Sequence, residues 1–381
     1  MTSKPDHLER TAADPRDKSL HTVVLEHIEQ VNNTTRIFRL RVPRDSLPIR
    51  FLPGQWLDVY VPGVEKAGGF TITSTPREAR QAHPALESED TSETTSPYEQ
   101  GKNSKAARGP YLELAVQKSP DNPAAAWLWQ DPHPSTADHH TSSSGPDSII
   151  GKELHVRVGG GFVWPPPGIN VRTLRRVVFV AGGVGVNPLV SMLCSLASSA
   201  AVVAPKATGV DLEVRFLYSL KDPGESAEES GYREAGNMLF LERIARIFRQ
   251  GRVKGTLEVF LTSGDTSTTT TDVAGAKSAD NTIDEDGGEG DRGNVITVGG
   301  GQAEDGNKNE EGNASFTIPF HPRRCTLEND VAKAVDNPRF AVVYVCGVPT
   351  MTDEFIAKLT GRESEGGLGM EPHRVLCEKW W

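Results

Sequence analysis

The sequence predicts two domains: an N-terminal antiparallel β-barrel followed by an α/β domain built on a parallel sheet, with long disordered insertions. Three observations lead there. The chain has 381 residues, enough for two separate cores. Ahead of the stiff break Pro165-Pro166-Pro167-Gly168, apolar and polar residues alternate with the period of half-buried strands. Beyond it, strand-like and helix-like segments take turns, as in a sheet wrapped by helices.

Residues 1–17 hold no apolar run and are expected to be disordered. The first domain, 18–168, offers strands at 21–29, 34–42, 55–61, 70–75, 111–117 and 153–158, with one short helix at 123–130. Closing such strands into a barrel removes their exposed edges. Segments 78–109 and 130–148 are rich in Ser, Thr, His, Pro and Glu. Segment 263–315 is rich in Thr, Gly, Asp, Glu and Asn. None has apolar periodicity, so all three are expected to be disordered insertions, and compact sequence resumes after each. The second domain, 172–381, offers strands at 176–181, 212–219, 256–261, 341–346 and 374–377, and helices at 188–198, 234–249 and 350–360. That order implies a parallel sheet, which takes ligands beyond the carboxyl ends of its strands.

Composition excludes several functions. The net charge of -10 speaks against nucleic acid or an anionic membrane as the main partner. The acid is concentrated in 225–230, 284–291 and 304–311, which read as solvated loops. Cys194, Cys325, Cys346 and Cys377 form no CxxC pair, so neither a disulfide framework nor a metal site is expected. Reduced thiols point to an intracellular place, cytoplasmic or mitochondrial. The first residues hold no apolar core of a secretion signal. Residues 177–204 are apolar enough to suggest a membrane span, but the breakers clustered at 182–188 argue against one.

Residues 177–190, VVFVAGGVGVNPLV, are the most informative stretch. An apolar strand breaks at Gly182-Gly183-Val184-Gly185 and resumes as a helix from Leu189. Glycines let backbone approach a ligand closely, and a helix start offers free N–H groups to a pyrophosphate. Asn187 suits the helix N-cap and Pro188 its first turn. A strand–turn–helix corner without any ligand is the competing reading. Two further features fall at strand ends on the same side: Tyr218-Ser219-Leu220-Lys221 and Cys346-Gly347-Val348-Pro349. Their convergence favours a dinucleotide.

These turns resemble the ferredoxin–NADP reductase superfamily. The resemblance rests on Pro53-Gly54-Gln55-Trp56, on GGFTITSTP at 68–76, AGGVGVNP at 181–188 and CGVPTMTDEF at 346–355, and on the ending Glu378-Lys379-Trp380-Trp381. It implies a barrel that holds FAD and an α/β domain that holds NAD(H) or NADP(H). Hydride passes from nicotinamide to flavin, and electrons go on to an acceptor, a small molecule or a redox protein. It further implies that Phe70 packs on the flavin ring, with Thr71 near its reacting nitrogen and Ser74 close by. Gly182, Gly183 and Gly185 would carry the pyrophosphate, and Val184, Asn187, Pro188, Ser219 and Lys221 would also be cofactor-binding. Cys346 and Gly347 would flank the nicotinamide, and Pro349 and Met351 would also be cofactor-binding. Glu378 would hydrogen-bond nearby or relay a proton, and Trp380, or Trp381, would cover the flavin face. Each has a plainer structural reading: Phe70 with Ile72 as a strand face in the core, Cys346 as a buried strand-end thiol, the tryptophans as domain packing.

The chain departs from the family's Arg-x-Tyr-Ser flavin motif, reading Gly68-Gly69-Phe70-Thr71. The arginine that would clamp a flavin phosphate is absent, and such a fork is not easily replaced. Ala125 stands where a second phosphate motif has a hydroxyl residue. Lys66 or Arg77 could supply charge. Asp222 beside Lys221 leans the nucleotide preference toward NADH. Two functions follow: a flavin-dependent NAD(P)H oxidoreductase, or an NAD(P)H-binding module, sensor or assembly factor, with a degenerate flavin site.

Overall fold

The computed structural model describes residues 6–80, 109–132, 148–202, 212–224, 233–262, 294–299 and 314–379. Most of the three insertions, the acidic stretches 225–230, 284–291 and 304–311, Trp380 and Trp381 lie outside the described residues.

The first half forms a six-stranded antiparallel sheet from β1 (His21–Asn32), β2 (Thr35–Arg41), β3 (Trp56–Tyr60), β4 (Gly68–Thr71), β5 (Tyr111–Gln117) and β6 (Glu153–Gly159), in the order β4-β3-β6-β1-β2-β5. The sheet curls so that its two edge strands meet, but it closes at one bridge only, Ile72 to Leu114. The Thr73 N–H adds a bond to the Glu113 carbonyl at 2.8 Å. The barrel is therefore not fully sealed. β4 is shorter than expected: past Thr71 the chain meets β5 at Ile72 and Thr73 without a continuous ladder. Alternation fills the core: Leu57 and Val59 of β3 face inward with Leu112, Leu114 and Val116 of β5. The helix α2 (Pro123–Leu128), capped by the Asn122 side chain on the Ala125 N–H at 3.1 Å, covers one end. Tyr111 donates its N–H to the Glu78 carbonyl at 3.1 Å and its hydroxyl to the Glu78 carboxylate at 2.8 Å, so the chain on either side of 81–108 is tied together.

The second half forms an eight-stranded, mostly parallel sheet. Its strands are β7 (Arg176–Gly182), β8 (Glu213–Lys221), β9 (Arg233–Glu234), β10 (Gly255–Thr262), β11 (Val295–Val298), β12 (Phe316–His321), β13 (Ala341–Cys346) and β14 (Val375–Glu378), in the order β14-β13-β7-β8-β10-β12-β11-β9. Helices α3 (Val186–Val202), α4 (Leu241–Arg249), α5 (Ala332–Val335) and α6 (Pro349–Thr360) pack on it.

Four expectations are corrected. The N-terminal segment is ordered from Asp6: α1 (His7–Arg10) carries a capping box between Asp6 and Glu9. β11 forms inside the expected insertion 263–315, paired antiparallel with β12 along Val295–Val298. The helix expected at 234–249 begins only at Leu241, because Met238, Leu239 and Phe240 enter the core in non-helical backbone and Phe240 sits at φ 58. Asn187 is not an N-cap. The tight turn Gly183–Gly185 runs straight into α3, which places Asn187 inside the first helical turn.

What holds the N-terminal segment is buried charge. His7 Nε2 bonds Asp58 Oδ1 at 2.9 Å, while Arg16 and Arg157 reach Asp58 Oδ2 at 3.1 and 2.8 Å. Asp58 is fully buried on the outer face of β3. Burial pushes its carboxyl up, but the bonds from His7, Arg157 and Arg16 outweigh it and hold it below the usual range. The His7 ring lies over Gly69, where a Cβ would sit 2.1 Å from a ring carbon. Gly69→Ala is therefore expected to cost about 1–3 kcal/mol, the range of overpacking a filled site. Urea unfolding checks this, and adding His7→Ala to Gly69→Ala should cost less than the two single changes summed. Strict additivity would mean that the ring and the glycine do not meet.

Candidate nucleotide site

The glycine turn after β7 has three glycines with three different reasons. Gly185 must lack a side chain because its Cβ would lie 2.1 Å from the Cys346 carbonyl oxygen, so α3 starts pressed against the end of β13. Gly182 faces Gly347: its Cβ would meet the Gly347 Cα at 3.3 Å and the Met351 methyl at 3.0 Å. Gly183 adopts φ 54 and nothing lies within 4 Å of its Cβ position, so the tip of the turn is open backbone. A tight, open turn at the start of a long helix presents free N–H groups and the positive end of the dipole.

The ladder brings several of the sequence candidates together in one row. Glu378 pairs with Cys346, Cys346 with Ala181, and the next residue, Gly182, with Ser219. Neighbours in such a row lie about 5 Å apart. Gly347, Pro349 and Met351 follow at the start of α6, and Lys221 is exposed at the end of β8. Val184 is half-buried beside the open tip, and Pro188 is buried in the first turn of α3. The Cys346 thiol is buried, and burial pushes it well above its ordinary value, with Glu378 and Cys377 adding to the shift. It is a neutral, packed thiol at physiological pH.

Two buried oxygens stand at this edge without a protein partner: Asn187 Oδ1 in α3 and Thr352 Oγ1 in α6. The Asn187 amide nitrogen donates to the Ala115 carbonyl of β5 at 2.9 Å, which joins the glycine turn to the barrel. Ser74, expected at the cofactor, is instead buried in that seam. Its carbonyl accepts from Ser191 of α3 at 2.8 Å, and its hydroxyl accepts from the Glu113 N–H at 3.0 Å.

The ion pair that anchors the seam has no local signal in the sequence. Glu113 of β5 takes a bidentate fork from Arg243 of α4, at 2.7 and 3.0 Å, and the Thr73 hydroxyl at 2.9 Å. Burial alone pushes the Glu113 carboxyl up, but the Arg243 charge and bonds, with Thr73, outweigh it and hold it below the usual range. A second missed partner is Arg233 of β9. It forks Asp222 at 2.9 and 2.8 Å, so the carboxylate that argued for NADH is already neutralised.

The flavin positions of the resemblance look different. Phe70 is 8% exposed and Thr71 5%. Gly68 is covered: a Cβ there would lie 2.6 Å from the Phe70 ring and 2.7 Å from the Ala124 methyl of α2. Lys66, a candidate for the missing charge, pairs with Asp6 at 3.5 Å.

Known proteins share this architecture. No family model matches the chain. Oxidoreductase NAD-binding domain-containing protein 1 of Bos taurus is 32% identical over 224 residues, 58% of this chain and 57% of that protein. Its Homo sapiens counterpart is 29% identical over 223 residues, and that of Danio rerio 32% over 195. The match thus spans little more than half the length of these curated relatives. Among solved structures, the flavohemoglobin of Malassezia yamatoensis with bound FAD and heme superposes with a TM-score of 0.51 at 11% identity, over 98% of this chain and 63% of that one. A ferredoxin NADP+ reductase from Neisseria gonorrhoeae with bound FAD and NADP gives 0.48 at 12% identity, over 96% and 100%. The flavohemoglobin thus shares the two-domain fold over nearly all of this chain. Among the described residues, no helix is long and apolar enough to cross a membrane, and no group of three or more His, Cys, Asp or Glu could hold a metal ion.

The depressed carboxyl of Glu113 fixes a pH dependence. Its stabilisation is present above the ordinary value of 4.5 and is lost as pH falls through the lower folded value. Glu113→Gln is expected to cost about 2–3 kcal/mol at neutral pH, less than a fully buried pair because Arg243 keeps some solvent. The deficit should shrink as pH falls below 4.5. Denaturant midpoints across that range check it, and a deficit independent of pH would count against a charged Glu113.

Proposed function

We propose that this chain is an oxidoreductase that binds NAD(P)H at the glycine turn of the second sheet, with the pyrophosphate on Gly182–Gly185 and the start of α3. The observation that carries the reading is the pairing of Gly185, pressed against the Cys346 carbonyl, with the open left-handed Gly183. Together they hold a turn whose outer backbone is free for a ligand. The row Glu378, Cys346, Gly182 and Ser219 then lies along the nucleotide, with Cys346 and Gly347 as the nicotinamide wall. A neutral, buried thiol suits a packing role there, since it neither titrates nor blocks the ring. The name of the curated relatives supports a nicotinamide nucleotide. In this reading residues 18–168 are the flavin-type barrel domain and 172–381 the nucleotide domain. The electron acceptor is a separate small molecule or redox protein. With Asp222 engaged by Arg233 and Lys221 exposed, both NADH and NADPH remain candidates.

A second reading, an NAD(P)H-binding module, sensor or assembly factor without turnover, is favoured by one observation: the covered strand Gly68–Thr71.

Titration with NADH and NADPH, followed by tryptophan fluorescence, tests the nucleotide site directly. Saturable quenching is expected. Gly183→Asp places a carboxylate in open space, in a backbone conformation that Asp tolerates. It should leave the melting profile nearly unchanged and weaken binding about tenfold or more, about 1.4 kcal/mol. Equal affinity in the variant would remove the pyrophosphate from this turn.

A further inference from the structure

We infer that this chain fills the flavin seat of its fold with its own residues and takes up a nicotinamide nucleotide as its resident redox ligand without FAD. The inference rests on the nucleotide reading above and narrows it.

Four features close the seat. The first is Gly68, at the place of the phosphate-clamping arginine. The Phe70 ring and the Ala124 methyl lie within 2.6 and 2.7 Å of its Cβ position, so the strand and α2 are in apolar contact where a phosphate and its arginine would need room. The second is the start of α2. Its Ala125 N–H, which would face a phosphate, is already taken by the Asn122 side chain at 3.1 Å, and Ala124 and Ala125 are buried. A consumed donor on a closed surface offers a dianion nothing.

The third feature is the ring contact. Phe70 and Thr71 are 8% and 5% exposed. A side chain that stacks on an isoalloxazine in the complex should show an open face without it. The fourth is the other side of the strand. The His7 ring lies on Gly69, fixed by Asp58, which also binds Arg16 and Arg157. Opening that side would strand a buried carboxylate, which is costly. The N-terminal segment and α2 therefore grip β4 from opposite faces. Neither element belongs to the α/β half, so the closure leaves the open turn at Gly183 untouched.

The test uses the full-length chain, in two measurements. Equilibrium dialysis against FAD reads flavin uptake, and tryptophan quenching by NADH reads the nucleotide site on the same preparation. No FAD above the dialysis buffer, together with saturable NADH quenching, is expected and supports the inference. One FAD bound per chain overturns it, whatever the NADH result. Neither FAD nor NADH bound overturns the nucleotide reading on which it rests. The triple variant Asn122→Ala, Ala124→Gly, His7→Ala loosens both grips. FAD uptake in that variant but not in the parent supports closure by these residues. FAD uptake equal in both overturns it.

Discussion

The bidentate bond between Glu113 and Arg243 is the interaction on which the relation of the two halves depends. β5 is a shared strand in chemical terms. Its period of two sends Leu112, Leu114 and Val116 into the barrel core, while Glu113 and Ala115 face the α/β half. Glu113 receives the guanidinium of α4, and the Ala115 carbonyl receives Asn187 of α3. Ser74, whose carbonyl accepts from the Ser191 hydroxyl, is tied to the same strand through the Glu113 N–H. A carboxylate in that seam would be expensive alone, and the fork with the Thr73 hydroxyl satisfies it. Apolar contacts continue the seam, with Tyr344 against Phe162 at 5.3 Å and its hydroxyl on the Val163 carbonyl at 2.8 Å. The directional bonds, rather than the apolar area, set the orientation.

That orientation matters for the glycine turn because Asn187 belongs to both. Its amide is committed to the barrel while its buried oxygen faces no protein donor. The first turn of α3 is thus held by a barrel strand on one side and by the Cys346 carbonyl, through Gly185, on the other. Backbone held on two sides and open at the tip is preorganised for a ligand, since little ordering entropy is left to lose on binding. It also explains why the helix begins without an N-cap side chain: the turn enters the helix already wound, and its free N–H groups stay available.

Where the sequence was readable, the signal was periodic. Alternation marked the six barrel strands, and apolar runs marked β7 and β13, which are buried on both faces. The glycine turn was readable because each glycine there answers a backbone need. The misses were short or nonlocal. α1 has four residues, too few for a period, and it exists because His7 meets Asp58 across 51 positions of chain. β11, with the sequence VITV, is four residues in a polar stretch, and only its pairing with β12 defines it. Residues 238–240 continue a helical apolar pattern, yet the core takes them in another conformation; tertiary packing overrode local preference. Arg233 and Asp222 stand 11 residues apart in sequence and meet only because β9 returns to the end of β8.

The missing arginine of the barrel motif illustrates why one residue cannot be read alone. Absence of a clamp could mean a weakened site, with the cradle still open and the charge supplied from elsewhere. The structure argues otherwise, because the neighbours have closed around the loss. Glycine at 68 lets the Phe70 ring fold back against Ala124; a larger residue at either position would hold the strand and α2 apart. Alanine at 125, in place of a hydroxyl, packs without a polar group to satisfy. Glycine at 69 admits His7, and Asp58 pairs with it only because Arg16 and Arg157 share the charge. Each small residue is explained by the group that moved into its space. An arginine restored at 68 would therefore meet filled volume on the α2 side, so recovering a flavin clamp would need the packing of α2 to change with it.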